Sequence, residues 1–456
     1  MRHFDLCLIG SGSGNSIPDE QFADRSVALV EKGAFGGTCL NVGCIPTKMF
    51  VYPADLALTP AESRRLGVDL QPAQVHWPEI RDRIFGRVDA ISRDGEKWRA
   101  ENPNVTLYRS SARFVGPRTL DTGGETLTAD QFVIAAGSRP VIPTIPGLDS
   151  VRSYTSDTVM RLERLPSSLI IVGGGHIAAE FAHIFASYGT AVTVVNRSDA
   201  LLRQHDRDVS RRFTELIGRR VRVLLDTDVE AVRGDADGVT LSVRNRAGEV
   251  GEVAAEVLLL ATGRRPNSDL LSLESAGVQV DDAGFVVVDQ HQRTSADGVY
   301  ALGDISSHYQ LKHVANCEAR VVKHNLLHPD ALDVCSRGPV PSAVFSSPQV
   351  ASVGLTEQQA AAEGRRYVTA TQEYGSVAYG WAMEDTEHFC KLVADPASGE
   401  LLGAHLIGPQ ASILIQPLIQ AISSGMSARA MATEQYWIHP ALTEVVENAL
   451  LALPLD

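Results

Sequence analysis

Two cysteines five positions apart, Cys39 and Cys44, lie in the run Gly36-Gly37-Thr38-Cys39-Leu40-Asn41-Val42-Gly43-Cys44-Ile45-Pro46-Thr47-Lys48. Three chemistries use such a pair. A structural zinc site needs two further Cys or His ligands at suitable spacing, and the chain has no second cysteine-rich knuckle, so no metal is expected. A purely structural disulfide would close only a tiny loop. The redox reading has more support. Pro46 suits the first turn of a helix, which puts Cys44 at a helix N-terminus, where the dipole stabilises a thiolate. Lys48 falls one turn further along the same face. A disulfide that opens to a thiolate pair is therefore favoured among the three.

A second constellation lies near the C-terminus, His439-Pro440-Ala441-Leu442-Thr443-Glu444. Pro440 reads as a helix start, with His439 on the entering loop and Glu444 in the early helix. A carboxylate can orient an imidazole and stabilise its protonated form, which suits acid/base work beside a thiol. Taken alone, a His and a Glu at this spacing are more often a surface or capping pair.

The elements that must position these residues show in the glycine pattern. Phe4 to Asn15 and Ser26 to Gly33 read as strand, glycine turn, short helix and strand. Ser168 to Arg197 repeats the plan. Each is a βαβ unit with a parallel sheet. In the second unit Gly173, Gly175 and Ala178 form a dinucleotide fingerprint at a strand end, where a pyrophosphate meets a helix N-terminus. The first unit keeps Gly10 and Gly12, but Asn15 holds the third glycine position and Pro18 interrupts the helix. Gly14 is left to supply close packing. Glu31 ends the second strand, where an acid accepts hydrogen bonds from a ribose. Further glycine turns close strands at Gly137, Gly263 and Gly303-Asp304. After Gly338 such turns stop, and Gly399 to Gly408 reads as a strand pair in a separate α+β region.

The chain has 456 residues, enough for about three domains. Its net charge of −14 offers no general attraction for nucleic acid or an anionic membrane. No apolar run suggests a membrane span and no signal-peptide pattern precedes the first strand, so a cytoplasmic protein is expected. Six cysteines are too few for a disulfide scaffold. Cys7, Cys317, Cys335 and Cys390 read as small buried residues.

Cofactor choice can be argued from charge. The second βαβ ends Val194-Val195-Asn196-Arg197, and Arg203 follows. An NAD site would place an acid here; two arginines instead suit a 2′-phosphate. NADPH is expected. His176 stands in the fingerprint turn as a nicotinamide gate or as a packing residue, and the sequence leaves both open.

The set CLNVGC (39–44), AAGSRP (135–140), GGGHIAAE (173–180), ATGRRPN (261–267), YALGD (300–304) and HPALTE (439–444) resembles the pyridine nucleotide–disulfide oxidoreductases of the glutathione reductase and dihydrolipoamide dehydrogenase type, in order and over nearly the whole chain. The resemblance implies an α/β fold with two Rossmann-like dinucleotide-binding domains, for FAD and NADPH, and a C-terminal α+β dimerisation domain. The implied division is 1–148 (FAD), 149–266 (NADPH), 267–337 (FAD and central) and 338–456 (dimerisation). Gly10, Gly12, Gly14, Glu31, Gly137 and Asp304 would bind FAD. Lys48 would lie by the flavin, paired with Glu180, and Gly173, Gly175, Gly263, Arg197 and Arg203 would serve the nicotinamide side. Cys39 would attack the substrate disulfide, with Cys44 nearer the flavin. His439 and Glu444 would act across a homodimer interface. QLKHVAN (310–316) and QYWIHPALTEVVENALL (435–451), with the irregular first fingerprint, are similar to a branch whose substrate is the symmetrical disulfide of a cysteinyl pseudo-disaccharide. Lipoamide or glutathione chemistry is the alternative.

Overall fold

The computed structural model describes residues 1–235, 238–335 and 338–456. Its first sheet is built on β1 (Arg2–Ile9), β2 (Val27–Val30) and β3 (Val105–Tyr108), all parallel. The long strand Thr126–Ile134 runs parallel on the other side of β1, and Val299–Ala301 joins it there. Most of β1 and all of β2 are buried, as an apolar run covered on both faces must be.

A second parallel sheet has the order 222–224, 191–195, 168–172, 257–260, 153–155. A short antiparallel pair, Ser138–Pro140 with Arg264–Pro266, joins the segments around Gly137 and Gly263. The last sheet is five-stranded and antiparallel, from Ser342–Val344 to Phe389–Ala394 and Leu401–Ile407. Gly399 to Gly408 thus holds one strand, where a strand pair was expected; its partners lie at 350–354 and 389–394.

Four helices carry the chemistry: α1 (Gly37–Asn41), α2 (Cys44–Arg64), α3 (Trp77–Ala100) and α4 (His176–Ser187). α2 and α4 pack against each other through one apolar cluster that includes Phe50, Ala54, Phe181 and Phe185. Tyr188 closes the seam by donating to the Phe50 carbonyl at 2.6 Å.

The first fingerprint departs from the βαβ plan. Two short 3-10 turns, Ser13–Ser16 and Glu20–Phe22, stand where a helix was expected. Buried Arg99 of α3 fills the place. Its guanidinium donates to Asn15 Oδ1 and the Pro18 carbonyl, each at 2.7 Å, and to the Asn15 carbonyl. Asn15 and Pro18 are therefore the two anchors of an arginine clamp.

Two of the four scattered cysteines are not simply buried. Cys317, on the helix Lys312–Leu327, forms a disulfide with Cys335. The chain turns back after that helix, and Asn325 holds the return by bonding both the amide and the carbonyl of Asp333. Nothing in the local sequence announces that return. Cys7 and Cys390 are free and buried, as expected.

Candidate active site

The first glycine of each fingerprint is required by close packing. Gly10 has φ +107°, and a Cβ there would lie 2.3 Å from the Ala135 carbonyl oxygen. Gly173, at φ +128°, would lie 2.2 Å from that of Ala261. Each turn therefore abuts the end of the next strand of its own sheet. The second glycines are different. Around Gly175 no atom lies within 4 Å of a Cβ position, and at Gly12 the nearest is Gly37 Cα at 3.8 Å. Those are cradles that a side chain would fill, open in front of α4 in one case and beside α1 in the other. Gly14 is buried, and its Cβ would meet that of Ala135 at 2.8 Å, so it does pack closely.

Glu31 sits at the end of β2, accepting from the Ser11 amide at 2.9 Å, the Ser11 hydroxyl at 2.7 Å and the Gly33 amide at 2.7 Å. Asp304 accepts from Ser138 at 2.7 Å, and Arg264 donates to the same hydroxyl at 2.9 Å. Glycine cradles with an oriented acid at the strand end fit a flavin dinucleotide. Gly137 and Gly263, at φ +66° and +116°, flank the pair that links the two halves.

α2 begins at Cys44 itself, with Gly43 as its N-cap. Cys39 lies on α1 and is half-buried, while Cys44 is exposed; both are free thiols. The two side chains share a hydrogen bond. It pushes Cys39 far above the ordinary thiol range, and burial adds to this. The same bond, with Lys48 nearby, holds Cys44 down to about 7 although burial opposes it. The two thiols thus differ in direction: Cys44 is favoured as the thiolate and Cys39 as the thiol.

Lys48 donates to both oxygens of Glu180, at 2.8 and 2.7 Å, joining α2 to α4. Glu180 is buried and also accepts from the Phe345 amide at 3.0 Å, while the ammonium lies 4.7 Å from the Phe345 ring centre. His176 is the first residue of α4 and is exposed. Arg197 and Arg203 are exposed and make no hydrogen bond or ion pair among the described residues. Asn196 turns inward, bonding Ser198 and Ala200 carbonyls at 3.1 and 2.9 Å.

His439 and Glu444 are joined at 2.8 Å through Nδ1, which leaves Nε2 outward. Glu444 also accepts from the Ala441 amide, and these bonds hold its carboxyl below the usual range. The imidazole is 69% exposed, on a segment where Tyr436 and Ile438 are also bare.

Lys312 escaped the sequence reading. It opens the helix 312–327, bonds Ser13 Oγ at 2.8 Å, and its charge bears on Cys39. A cation at a helix N-terminus runs against the dipole, and that was the signal available inside QLKHVAN.

The model of the pyridine nucleotide-disulphide oxidoreductases matches residues 4–319, and that of their dimerisation domain matches 340–450. The chain belongs to this family. A mycothione reductase of Mycobacterium tuberculosis is 52% identical over 99% of this chain and 100% of the relative. A dihydrolipoyl dehydrogenase of Haloferax volcanii is 34% identical over 98% and 96%. Among solved structures, the HOCl-induced flavoprotein disulfide reductase RclA of Escherichia coli superposes with a TM-score of 0.86 at 26% identity, covering 98% of this chain and 99% of that one. Family membership carries FAD and NAD(P)H as cofactors, a disulfide-reductase activity and a dimerisation domain. Among the described residues no helix is long and apolar enough to cross a membrane.

Proposed function

We propose that the chain is an NADPH-dependent flavoprotein that reduces mycothione, the symmetrical disulfide of mycothiol, to two thiols in the cytoplasm. The observation that carries the redox part is the pair of free thiols, Cys44 opening α2 one turn before Lys48 and Cys39 on α1, with Cys44 favoured as the thiolate. Mycothione as substrate rests on the 52% identical relative. NADPH rests on Asn196 rather than an acid at the strand end, and on Arg197 and Arg203, which make no ion pair among the described residues. The four-part division 1–148, 149–266, 267–337 and 338–456 belongs to the same reading.

Bound FAD would supply a two-electron relay between the reduced nicotinamide and the Cys39–Cys44 disulfide; Gly10, Gly12, Gly14, Glu31, Gly137 and Asp304 would hold it, with Lys48 alongside. Gly173, Gly175, Gly263 and the two arginines would hold the nicotinamide dinucleotide. The reduced pair then acts alone. Cys39 keeps its proton against Cys44, so it needs a base before it can attack. His439 of the other subunit, oriented by Glu444, takes that proton. Cys39 attacks one substrate sulfur, the S–S bond breaks, and His439 returns the proton to the departing thiolate. The Cys44 thiolate next attacks Cys39 Sγ of the mixed disulfide, closing the Cys39–Cys44 bond and expelling the second product as a thiolate, which takes its proton from water.

The reading requires that Cys44→Ser retain FAD and lose all disulfide turnover. Full activity in that variant would remove the thiol assignment. A test of Arg203→Ala covers the nucleotide: KM for NADPH should rise about tenfold with KM for NADH little changed. Equal effects on both would remove the 2′-phosphate reading.

A further inference from the structure

Arg197 and Arg203 sit on a loop, Asn196 to Asp206, that is pinned along its length. Leu202 donates its amide to the Gly174 carbonyl at 2.7 Å, inside the fingerprint turn. The neighbouring Leu201 amide bonds Thr214 Oγ1 at 2.9 Å, and its carbonyl accepts from Ser210 at 2.6 Å. Both latter partners belong to the helix Arg207–Gly218. The far end of the loop is held by the C-terminal sheet. His205 Nδ1 lies 3.0 Å from Ser352 Oγ, and Asp206 accepts from the Glu357 amide at 3.2 Å.

The centre of that attachment is Lys391, on the strand Phe389–Ala394. Its side chain is 2% exposed, and its ammonium meets Asp206 at 3.0 Å, Asp208 at 2.6 Å and Glu357 at 2.6 Å. An ammonium has three donors, and here each finds a carboxylate. Asp206 is itself wholly buried and caps the helix 207–218 through the Asp208 amide. The residues on the cofactor side are thus Asp206 and Asp208; Glu357 and Lys391 belong to the C-terminal region. A buried ion cluster of this kind fixes geometry more reliably than it adds stability.

We propose that Lys391 is a positioning residue for nucleotide selection: from the C-terminal sheet it fixes Asp206, and through it the register at which Arg203 is presented to a 2′-phosphate. The inference rests on the NADPH reading above. Arg203 lies between two fixed points, Leu202 on the fingerprint turn and Asp206 on Lys391. Loss of the Lys391 ammonium leaves Leu202 held at Gly174 and weakens the hold on Asp206, whose carboxylate keeps only its bonds from the Glu357 and Asp208 amides. The ligand property affected is the phosphate that distinguishes NADPH from NADH.

The test is steady-state oxidation of NADPH and of NADH by the full-length, flavin-loaded enzyme, with a quinone as electron acceptor so that the cysteines are not limiting. Lys391→Met should raise KM for NADPH about five- to tenfold, with KM for NADH and both kcat values within about twofold. Lys391→Arg, which keeps the charge, should restore most of the loss. Glu357→Gln, which removes one carboxylate from Lys391, should raise KM for NADPH about two- to threefold and decides the matter if Lys391→Met does not fold. A fall in thermal midpoint with no NADPH-selective change, or equal rises for both nucleotides, overturns the proposal. Arg203→Ala is run alongside: if it too leaves KM for NADPH unchanged, the NADPH reading fails. If it alone raises that KM, only the role of Lys391 fails.

Discussion

A proton shared between two sulfurs decides which of them is the thiolate. The Cys39 thiol holds it, and Cys44 is left as a thiolate held down to about 7, below a free thiol's ordinary value. In the reduced enzyme, alkylation of Cys44 by iodoacetamide should therefore rise with pH through a midpoint near 7; a midpoint above about 8.5 would contradict the shared-proton picture. The neighbours set the sign of further shifts. Lys48 lowers the Cys44 value and Glu180 raises it. Lys48→Met should accordingly move the alkylation midpoint up, and Glu180→Gln should move it down. His439→Gln should cost about 10²–10⁴ in disulfide turnover with FAD and NADPH binding intact, and unchanged turnover would sink the dyad. At this scale the sequence was informative, because spacing on a helix is a local property. Cys44 at a helix start followed from Pro46, whereas the Lys48–Glu180 pair came only from the family resemblance. The helix start already favoured Cys44 as the thiolate; the contribution of Cys39 was not legible, since it acts between two separate helices.

The fingerprints show what an element can and cannot reveal. Gly10 and Gly173 are dictated by the adjoining strand ends at Ala135 and Ala261, so a glycine in the sequence reported a contact over 80 residues away. The irregular first turn had the opposite fate. Asn15 and Pro18 looked like losses, yet they are the partners of Arg99, which no local pattern could connect with them. The clamp replaces the missing helix. Arg99→Met should leave those buried acceptors unpaired and destabilise the FAD-side unit by about 2–4 kcal/mol, read as a lower thermal midpoint and faster flavin release. Wild-type stability in that variant would mean the two 3-10 turns stand without it.

For the molecule as a whole, the order of sheets and the change of character after Gly338 were legible from where glycine turns stop. The Cys317–Cys335 disulfide was not, because it depends on a chain reversal held by Asn325. The outward imidazole of His439, on a bare C-terminal segment, makes sense in a site completed by a second copy. Co-expressed Cys44→Ser and His439→Gln subunits should each be inactive alone. Mixed, they should regain about a quarter of full activity, since half the dimers then contain one intact pairing. No recovery would place both residues in one subunit's site. Family membership carries the disulfide-reductase activity, and mycothione as its substrate is the proposal. The direct measurement is NADPH oxidation with mycothione, glutathione disulfide and lipoamide side by side. Rapid oxidation is expected with mycothione and little with the other two. Slow turnover of mycothione together with fast NADH-linked turnover of lipoamide would contradict the proposal.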